Sequence, residues 1–182
     1  KTPEYLAEKH PFGKIPVLFD DGFRIYESRA IARYLVNKYQ GSKTSTILIP
    51  SDVQKAALVD QFVSVETSYF TPPLQKLVYQ VVFTKFHGRT TDPEVVKESR
   101  EEINKVLDVY EKILEGKDYL VDEFSLADIV HYPYAQYAIK NGHDDLFNDP
   151  KRPNVARWVK NITNRESWEK VIAKHDLFKA KE

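Results

Sequence analysis

The 182-residue sequence contains no cysteine, which excludes a disulfide scaffold, a thiolate-ligated zinc site and a cysteine nucleophile within these residues. It also lacks an excess of charge, because 27 basic and 27 acidic side chains give a formal net charge of +0. These charges are interspersed along the chain, so no extended field of one sign is available to attract a polyanion. We therefore expect no nucleic-acid partner.

Long apolar runs are missing as well. No segment approaches the roughly 18 to 20 consecutive apolar residues that a membrane-spanning helix requires, and the first residues lack the basic and then apolar layout of a secretory signal. We therefore expect a soluble, cytoplasmic protein without a membrane partner. Methionine is also absent. Because Lys1 is not a translation start, we expect the sequence to begin inside a longer product or to follow a processed or truncated end.

Short motifs for several kinds of catalysis are absent. The five histidines include no pair at the His-x-x-x-His spacing of a helical metal site. The sequence contains no phosphate-binding loop, no Gly-x-Gly-x-x-Gly turn and no Gly-x-Ser-x-Gly elbow. We therefore expect no metal, and neither nucleotide chemistry nor serine hydrolysis has support.

The first forty residues predict a small α/β unit. Two prolines and a glycine within residues 10–16 predict a loop after a short helix at 3–9. Residues 17–19 and 23–26 flank an Asp-Asp-Gly sequence, which predicts two strands joined by a tight hairpin. A helix should then begin at Ser28. Because a two-stranded hairpin is marginal by itself, this unit requires more sheet.

The rest of the chain predicts a linker followed by helices alone. Residues 41–50 contain Gly, Ser, Thr and Lys and end in proline, a composition typical of linkers. We therefore divide the chain into a domain over 1–40, this linker, and an all-helical domain over 51–182. Ser51 is predicted to cap a long helix that has a kink at 71–73.

Two later helix starts carry capping signals. Asp92 precedes a proline, which predicts an N-cap followed by proline at the first helical position. Ser125 and Asp128 have the spacing of a capping box in which Asp replaces the usual Glu or Gln. We therefore assign Ser125 and Asp128 to a structural cap.

Groups that can bind a ligand are concentrated between residues 10 and 28. A cis peptide at Ile15-Pro16 would turn the N–H and C=O of Ile15 outward, as a hydrogen-bonding pair for an extended ligand. At the junction of strand and helix, Glu27 can receive an ammonium group, while Ser28 and the free N–H groups can receive a carboxylate. Lys14 adds a cation on the same loop. Together these groups suit a short zwitterionic peptide.

The same residues also have ordinary structural interpretations. Pro16 fits a common turn proline, Ser28 fits a routine N-cap, and Lys14 and Glu27 fit solvated surface positions. Taken alone, the residues favour these structural roles.

Several runs of the sequence share a pattern with one enzyme family. Residues 1–18 contain Pro-Phe-Gly-Lys-Ile-Pro-Val-Leu, and 20–35 begin with Asp-Asp-Gly-Phe and contain Tyr-Glu-Ser-Arg-Ala-Ile. Val-Leu-Asp-Val-Tyr-Glu occupies 106–111, Ser-Leu-Ala-Asp 125–128, and a Pro-x-Val-x-x-Trp segment 153–158. Over the whole chain, these runs resemble the cytosolic glutathione transferases, especially the phi class and its fungal relatives. The resemblance implies an α/β thioredoxin-like N-terminal domain followed by an all-α domain.

The resemblance also implies roles for the candidate residues. Ile15, preceding a cis Pro16, would hydrogen-bond the cysteinyl backbone of glutathione. Glu27 and Ser28 would hold the γ-glutamyl end, and Lys14 would lie near the peptide. The family's first strand, helix and strand carry the catalytic Ser, Tyr or Cys, and we expect that segment to lie ahead of Lys1. The thioredoxin-like domain is therefore expected to be partial, and no catalytic residue is assigned.

The function implied by the resemblance is transfer of the glutathione thiolate to small hydrophobic electrophiles, in detoxification. Glutathione would be the co-substrate, and the protein would be a homodimer with interface residues that include Phe23, Arg29, Arg33, Phe62 and Glu66. The electrophile would lie in an apolar cleft lined by residues of the long helix, namely Tyr69, Phe70, Leu74, Val78, Tyr79 and Phe83. The alternative is a noncatalytic interaction module, such as the N-terminal region of the elongation factor gamma subunit.

Overall fold

The structure is a computed structural model that describes residues 1–175. The chain forms two compact units, of which the first comprises Lys1–Val59 and the second starts at Asp60. The division falls within a helix, Val53–Val65. No helix in the described part of the chain is long and apolar enough to cross a lipid bilayer.

The first unit contains the predicted hairpin between two helices. Its elements are α1 (Pro3–Glu8), β1 (Val17–Asp20), β2 (Phe23–Tyr26) and α2 (Ser28–Tyr39). Thr2 caps α1, since its Oγ1 accepts the N–H of Tyr5 at 3.2 Å. The strands pair in antiparallel fashion, with Val17 opposite Tyr26 and Asp20 opposite Phe23.

The hairpin turn has the backbone geometry that its sequence demands. Asp21 and Gly22 have φ values of 49° and 84°, as a two-residue turn requires of both central residues. Beside the turn, the Asp20 carboxylate accepts hydrogen bonds from the Tyr34 hydroxyl at 2.6 Å and from the Lys38 ammonium. These bonds connect α2 to the end of β1, and they hold the pKa of Asp20 below its usual value.

Residues 41–50 belong to the first unit, although their composition predicts a linker. The side-chain oxygen of Gln40 accepts the N–H groups of Leu48 at 2.7 Å and Ile49 at 2.9 Å, and its amide donates to the Ile49 C=O at 2.7 Å. The side chain of Ile49 is buried. One amide therefore orders the segment, and the compact unit extends to Val59 instead of ending at residue 40.

The chain beyond this segment is helical. The α-helices are α3 (Val53–Val65), α4 (Thr71–Val78), α5 (Thr84–Phe86), α6 (Pro93–Ile113), α7 (Leu126–Ala138), α8 (Pro153–Thr163) and α9 (Glu166–His175). Wider π-helical turns occupy Glu66–Phe70, Tyr79–Phe83 and Ile139–His143, and a 3₁₀ turn occupies Asp144–Leu146. This confirms the predicted order of an α/β segment followed by helices.

Helix starts depend on single side chains. Asp52, not the predicted Ser51, caps α3, because its Oδ1 accepts the N–H of Lys55 at 2.9 Å. Asp92 caps α6 as predicted, accepting the N–H of Glu94 at 3.0 Å. The prolines at 72 and 73 lie in the first turn of α4, where a missing N–H costs little. The N–H of Thr71 instead reaches back to the Glu66 C=O, which closes the π-helical turn.

The core of the second unit contains a cluster of rings around Phe70. The ring centroid of Phe70 lies 4.8 Å from that of His131 and 5.2 Å from that of Tyr110. His131 is fully buried, with Nδ1 2.6 Å from the Ala127 C=O and Nε2 2.7 Å from the Tyr110 hydroxyl. Both ring nitrogens of His131 therefore have a hydrogen-bond partner within the core.

The Asp128 side chain joins α7 to its surroundings. Its Oδ2 accepts the N–H of Ser125 at 2.9 Å, as in a capping box, and its Oδ1 accepts the indole N–H of Trp158 at 2.8 Å. Both Ser125 and Asp128 are buried. The structure therefore places them at the helix cap, and Asp128 has a further partner on α8.

Candidate functional site

Two chain junctions meet at one end of the hairpin. The chain enters β1 through Ile15-Pro16 and leaves β2 through Glu27 and Ser28. Because Val17 lies opposite Tyr26 in the antiparallel pair, these two junctions lie side by side. The Ile15-Pro16 peptide is cis. The sheet register therefore brings together two segments that are eleven or more residues apart in sequence.

The loop before β1 presents an unused pair of backbone groups. The Ile15 side chain is 80% exposed, and within the described residues its backbone N–H and C=O make no hydrogen bond. The neighbouring C=O of Lys14 accepts the Tyr5 hydroxyl at 2.7 Å, which ties the loop to α1. The Lys14 side chain is exposed. Ile15 thus offers one donor and one acceptor to an extended ligand.

At the other junction, α2 begins without a capping side chain. Glu27 is the N-cap residue, with φ 71° and ψ 114°, and its carboxylate makes no hydrogen bond to the first turn. The Glu27 C=O accepts the N–H of Ile31 at 2.9 Å, which starts the helix. The N–H groups of the first turn have no intrahelical acceptor, and the first turn contains no acidic residue. This helix start therefore suits an anion.

The Ser28 hydroxyl is oriented by its neighbour. Its Oγ accepts a hydrogen bond from the Arg29 guanidinium at 2.8 Å, and both residues are half-buried. The hydroxyl hydrogen remains for donation to an acceptor, since the guanidinium can only donate. The sequence-based prediction assigned Arg29 to a dimer interface and missed its hydrogen bond to Ser28. The adjacency of the two residues in the sequence could have indicated that contact.

His10 is a second residue of the site that the sequence-based prediction missed. It is 1% exposed, its Nδ1 accepts the N–H of Phe12 at 3.3 Å, and its Nε2 lies 3.6 Å from a carboxylate oxygen of Glu27. A search for histidine pairs at helical spacing finds metal sites within one helix. His10 instead contacts a carboxylate seventeen positions away in sequence. No local pattern reveals such a contact.

Together the two junctions can hold a short zwitterionic peptide. Glu27 supplies a negative charge for an ammonium group, and Ser28 with the first turn of α2 supplies donors for a carboxylate. Ile15 supplies backbone groups that can pair with the peptide as an added strand does. The described residues contain no group of three or more side chains that could hold a metal ion.

Three of the six residues predicted to line an apolar substrate site lie in the core. Phe70 is 1% exposed and Leu74 and Val78 are 0% exposed, so these side chains pack inside the helical unit and have no free surface. This corrects their assignment as lining residues. The other three, Tyr69, Tyr79 and Phe83, are 65%, 40% and 38% exposed and present aromatic surface.

Two of the predicted interface residues are also buried within the chain. Phe62 is 7% exposed, and Glu66 is fully buried with its carboxylate accepting the Thr71 hydroxyl. Side chains that are covered within the chain cannot form a surface for a second subunit, so both are removed from the predicted interface. Phe23 is 49% exposed and remains available.

Comparison with protein-family models gives two matches. Residues 1–37 match the glutathione S-transferase N-terminal domain, and residues 70–166 match the glutathione S-transferase C-terminal domain. The chain belongs to the glutathione S-transferase family. The family predicted from the sequence is thereby confirmed, and the hairpin site lies within the part that matches the N-terminal domain.

Known glutathione S-transferases are similar over nearly the whole chain. Glutathione S-transferase F10 of Arabidopsis thaliana is 40% identical over 97% of this chain and 81% of its own length. Glutathione transferase F7 of Populus trichocarpa has a solved structure that is 35% identical, covers 94% of this chain and 79% of that one, and has a TM-score of 0.86. Maize glutathione S-transferase I, solved in complex with an atrazine glutathione conjugate, is 33% identical over 94% of this chain and 78% of that one, with a TM-score of 0.82.

Proposed function

We propose that this glutathione S-transferase binds glutathione at the hairpin junctions and transfers its thiolate to small hydrophobic electrophiles, as a detoxification enzyme. The observation that carries the proposal is the unpaired backbone of Ile15 beside Glu27 and the uncapped start of α2. The maize relative, which was solved with an atrazine glutathione conjugate, supports an electrophile of this kind.

Each part of glutathione has a counterpart in the site. The γ-glutamyl ammonium pairs with the Glu27 carboxylate, and the γ-glutamyl carboxylate accepts hydrogen bonds from the Ser28 hydroxyl and the first N–H groups of α2. The cysteinyl N–H and C=O pair with the backbone C=O and N–H of Ile15. The exposed Lys14 ammonium adds a charge contact with the peptide.

Reaction requires that glutathione be bound as its thiolate. The thiol has a pKa of about 8.5 in water, and a hydrogen-bond donor and a helix dipole lower that pKa towards neutrality. The sulfur then forms a bond to the electrophilic carbon, and the leaving group departs with its electron pair. The residues of this sequence position the peptide, and none of them is assigned as the hydroxyl that stabilises the sulfur.

The electrophile needs an apolar surface, for which we propose the exposed aromatic side chains of the second unit. Tyr69, Tyr79 and Phe83 present rings to solvent. Flat apolar molecules bind such rings through burial of apolar area and stacking. We further propose that the protein acts in the cytoplasm as a homodimer, with the exposed Phe23 in the interface.

Binding of glutathione to a Ser28→Ala variant of the full-length protein tests the proposal. The variant loses a hydrogen bond to a charged group, which contributes about 1.5 to 3 kcal/mol, so the affinity should fall roughly tenfold to a hundredfold. Ser51→Ala is the matched control, since Ser51 is exposed and lies in the loop before α3. Calorimetry that gives Ser28→Ala the same Kd as the wild type would refute this site.

A further inference from the structure

His10 is held in place from both sides by its backbone. Its N–H donates to the Tyr5 C=O at 3.0 Å, and its C=O accepts the N–H of Gly13 at 2.8 Å. The first bond lies at the end of α1, and the second forms the turn that leads to Ile15. A residue fixed in this way has little freedom to move its side chain, which is also 1% exposed.

The imidazole ring faces Glu27 with a donor. Its Nδ1 accepts the N–H of Phe12 at 3.3 Å, so in the neutral ring the hydrogen is on Nε2. Nε2 lies 3.6 Å from a carboxylate oxygen of Glu27. The ring also packs against Tyr26, with the two centroids 4.6 Å apart, which fixes its plane.

Glu27 is a residue whose conformation requires support from its surroundings. Its φ of 71° is unusual for a residue with a side chain, and such conformations persist where neighbouring contacts over-determine them. The Glu27 side chain is also 67% exposed, so solvent leaves it free to change rotamer. The His10 ring lies on the protein side of this carboxylate and limits that freedom.

We propose that His10 is a positioning residue whose imidazole, with Nε2 3.6 Å from the Glu27 carboxylate, holds that carboxylate in the orientation that receives the γ-glutamyl ammonium of glutathione. This inference rests on the proposed function. The turn that leads to Ile15 is held by the backbone groups of His10, so a change of the His10 side chain that leaves this turn intact should affect only the group that binds the γ-glutamyl end.

A double-mutant cycle on the full-length protein tests the proposal. His10→Phe keeps a ring against Tyr26 but removes the donor, and it should raise the Kd for glutathione about tenfold. Glu27→Gln should raise the Kd at least as much. Because His10 acts through Glu27, the double variant should bind no more weakly than Glu27→Gln alone. If His10→Phe does not fold, as judged by circular dichroism, the cycle is run with His10→Leu, which also lacks a donor. His10→Gln keeps an N–H donor and should bind within about threefold of the wild type.

A second ligand separates positioning from a general structural effect. Cysteinylglycine lacks the γ-glutamyl residue, so His10→Phe should leave its Kd unchanged. His87→Asn, at an exposed histidine of the second unit, is the control and should not alter either Kd. Wild-type affinity for glutathione in folded His10→Phe, additive losses in the cycle, or an equal loss for both ligands would overturn the inference. Failure of the wild type to bind glutathione would instead overturn the proposed function.

Discussion

Replacement of Asp128 by alanine should destabilise the protein far more than replacement of an exposed aspartate. The Asp128 carboxylate is fully buried and accepts four hydrogen bonds. Oδ1 accepts from the Leu120 N–H at 3.1 Å and the Trp158 indole at 2.8 Å. Oδ2 accepts from the Ser125 N–H at 2.9 Å and the Ser125 hydroxyl at 3.2 Å. Alanine offers no acceptor to any of these donors.

The magnitude follows from the donors left without a partner. Each buried N–H without an acceptor costs about 1 to 3 kcal/mol, and three such groups remain after the hydroxyl of Ser125 rotates to another partner. Desolvation of the ionised carboxylate, which raises the pKa of Asp128, offsets part of this gain in the wild type. We therefore expect a loss of about 3 to 6 kcal/mol, from a total stability of about 5 to 15 kcal/mol.

Urea unfolding followed by tryptophan fluorescence and circular dichroism measures this loss. Asp118→Ala is the matched control, because the Asp118 carboxylate is 66% exposed and pairs with Arg157 at 3.2 Å. An exposed pair of this kind contributes about 0 to 1 kcal/mol. If the two variants differ in unfolding free energy by less than about 1 kcal/mol, the hydrogen bonds of Asp128 do not have the value assigned to them.

Three further predictions concern the pH dependence of stability, the electrophile and the assembly. Burial and the nearby Arg100 lower the pKa of His143, so the folded state binds a proton there less readily than the unfolded state. The free energy of unfolding should therefore fall as the pH drops below about 6.5, the ordinary pKa of histidine. In urea titrations, His143→Asn should flatten this pH dependence. Tyr69→Ala should raise the KM for an apolar aryl electrophile up to about tenfold without changing the KM for glutathione, whereas the exposed Val109→Ala should change neither in steady-state assays. Light scattering at micromolar concentration should show a dimer, and Phe23→Glu should shift it towards monomer; a wild type that is monomeric contradicts the assembly.

Features that depend on short-range rules could be predicted from the sequence. The hairpin follows from Asp21 and Gly22, whose residue types suit the turn, and the cap at Asp92 follows from the proline after it. Neighbouring positions can compete, however. Ser51 and Asp52 are both good N-caps, and only the structure shows that Asp52 accepts the N–H of Lys55 in the first turn of α3.

Features that depend on distant contacts could not be predicted from composition or spacing. Residues 41–50 resemble a linker because their composition says nothing of the Gln40 amide that binds them. His10 and Glu27 meet because the hairpin folds back on itself, which pairwise spacing does not encode. The residues proposed to bind glutathione were accessible only through the resemblance to a family, since each has an ordinary structural interpretation when taken alone.

The π-helical turn at Glu66–Phe70 has a consequence for the way in which the long helical segment buries its side chains. Glu66, Phe70, Leu74 and Val78 follow one another at intervals of four residues, and all are 0 or 1% exposed. In a regular α-helix, each step of four residues rotates a side chain by about 40° beyond a full turn, or about 120° over the three steps. A wider turn reduces that drift and keeps the four side chains on one buried face. Because a π-helical turn holds about one residue more than an α-helical turn, the segment carries this extra residue while the residues after it stay on the same buried face as those before it.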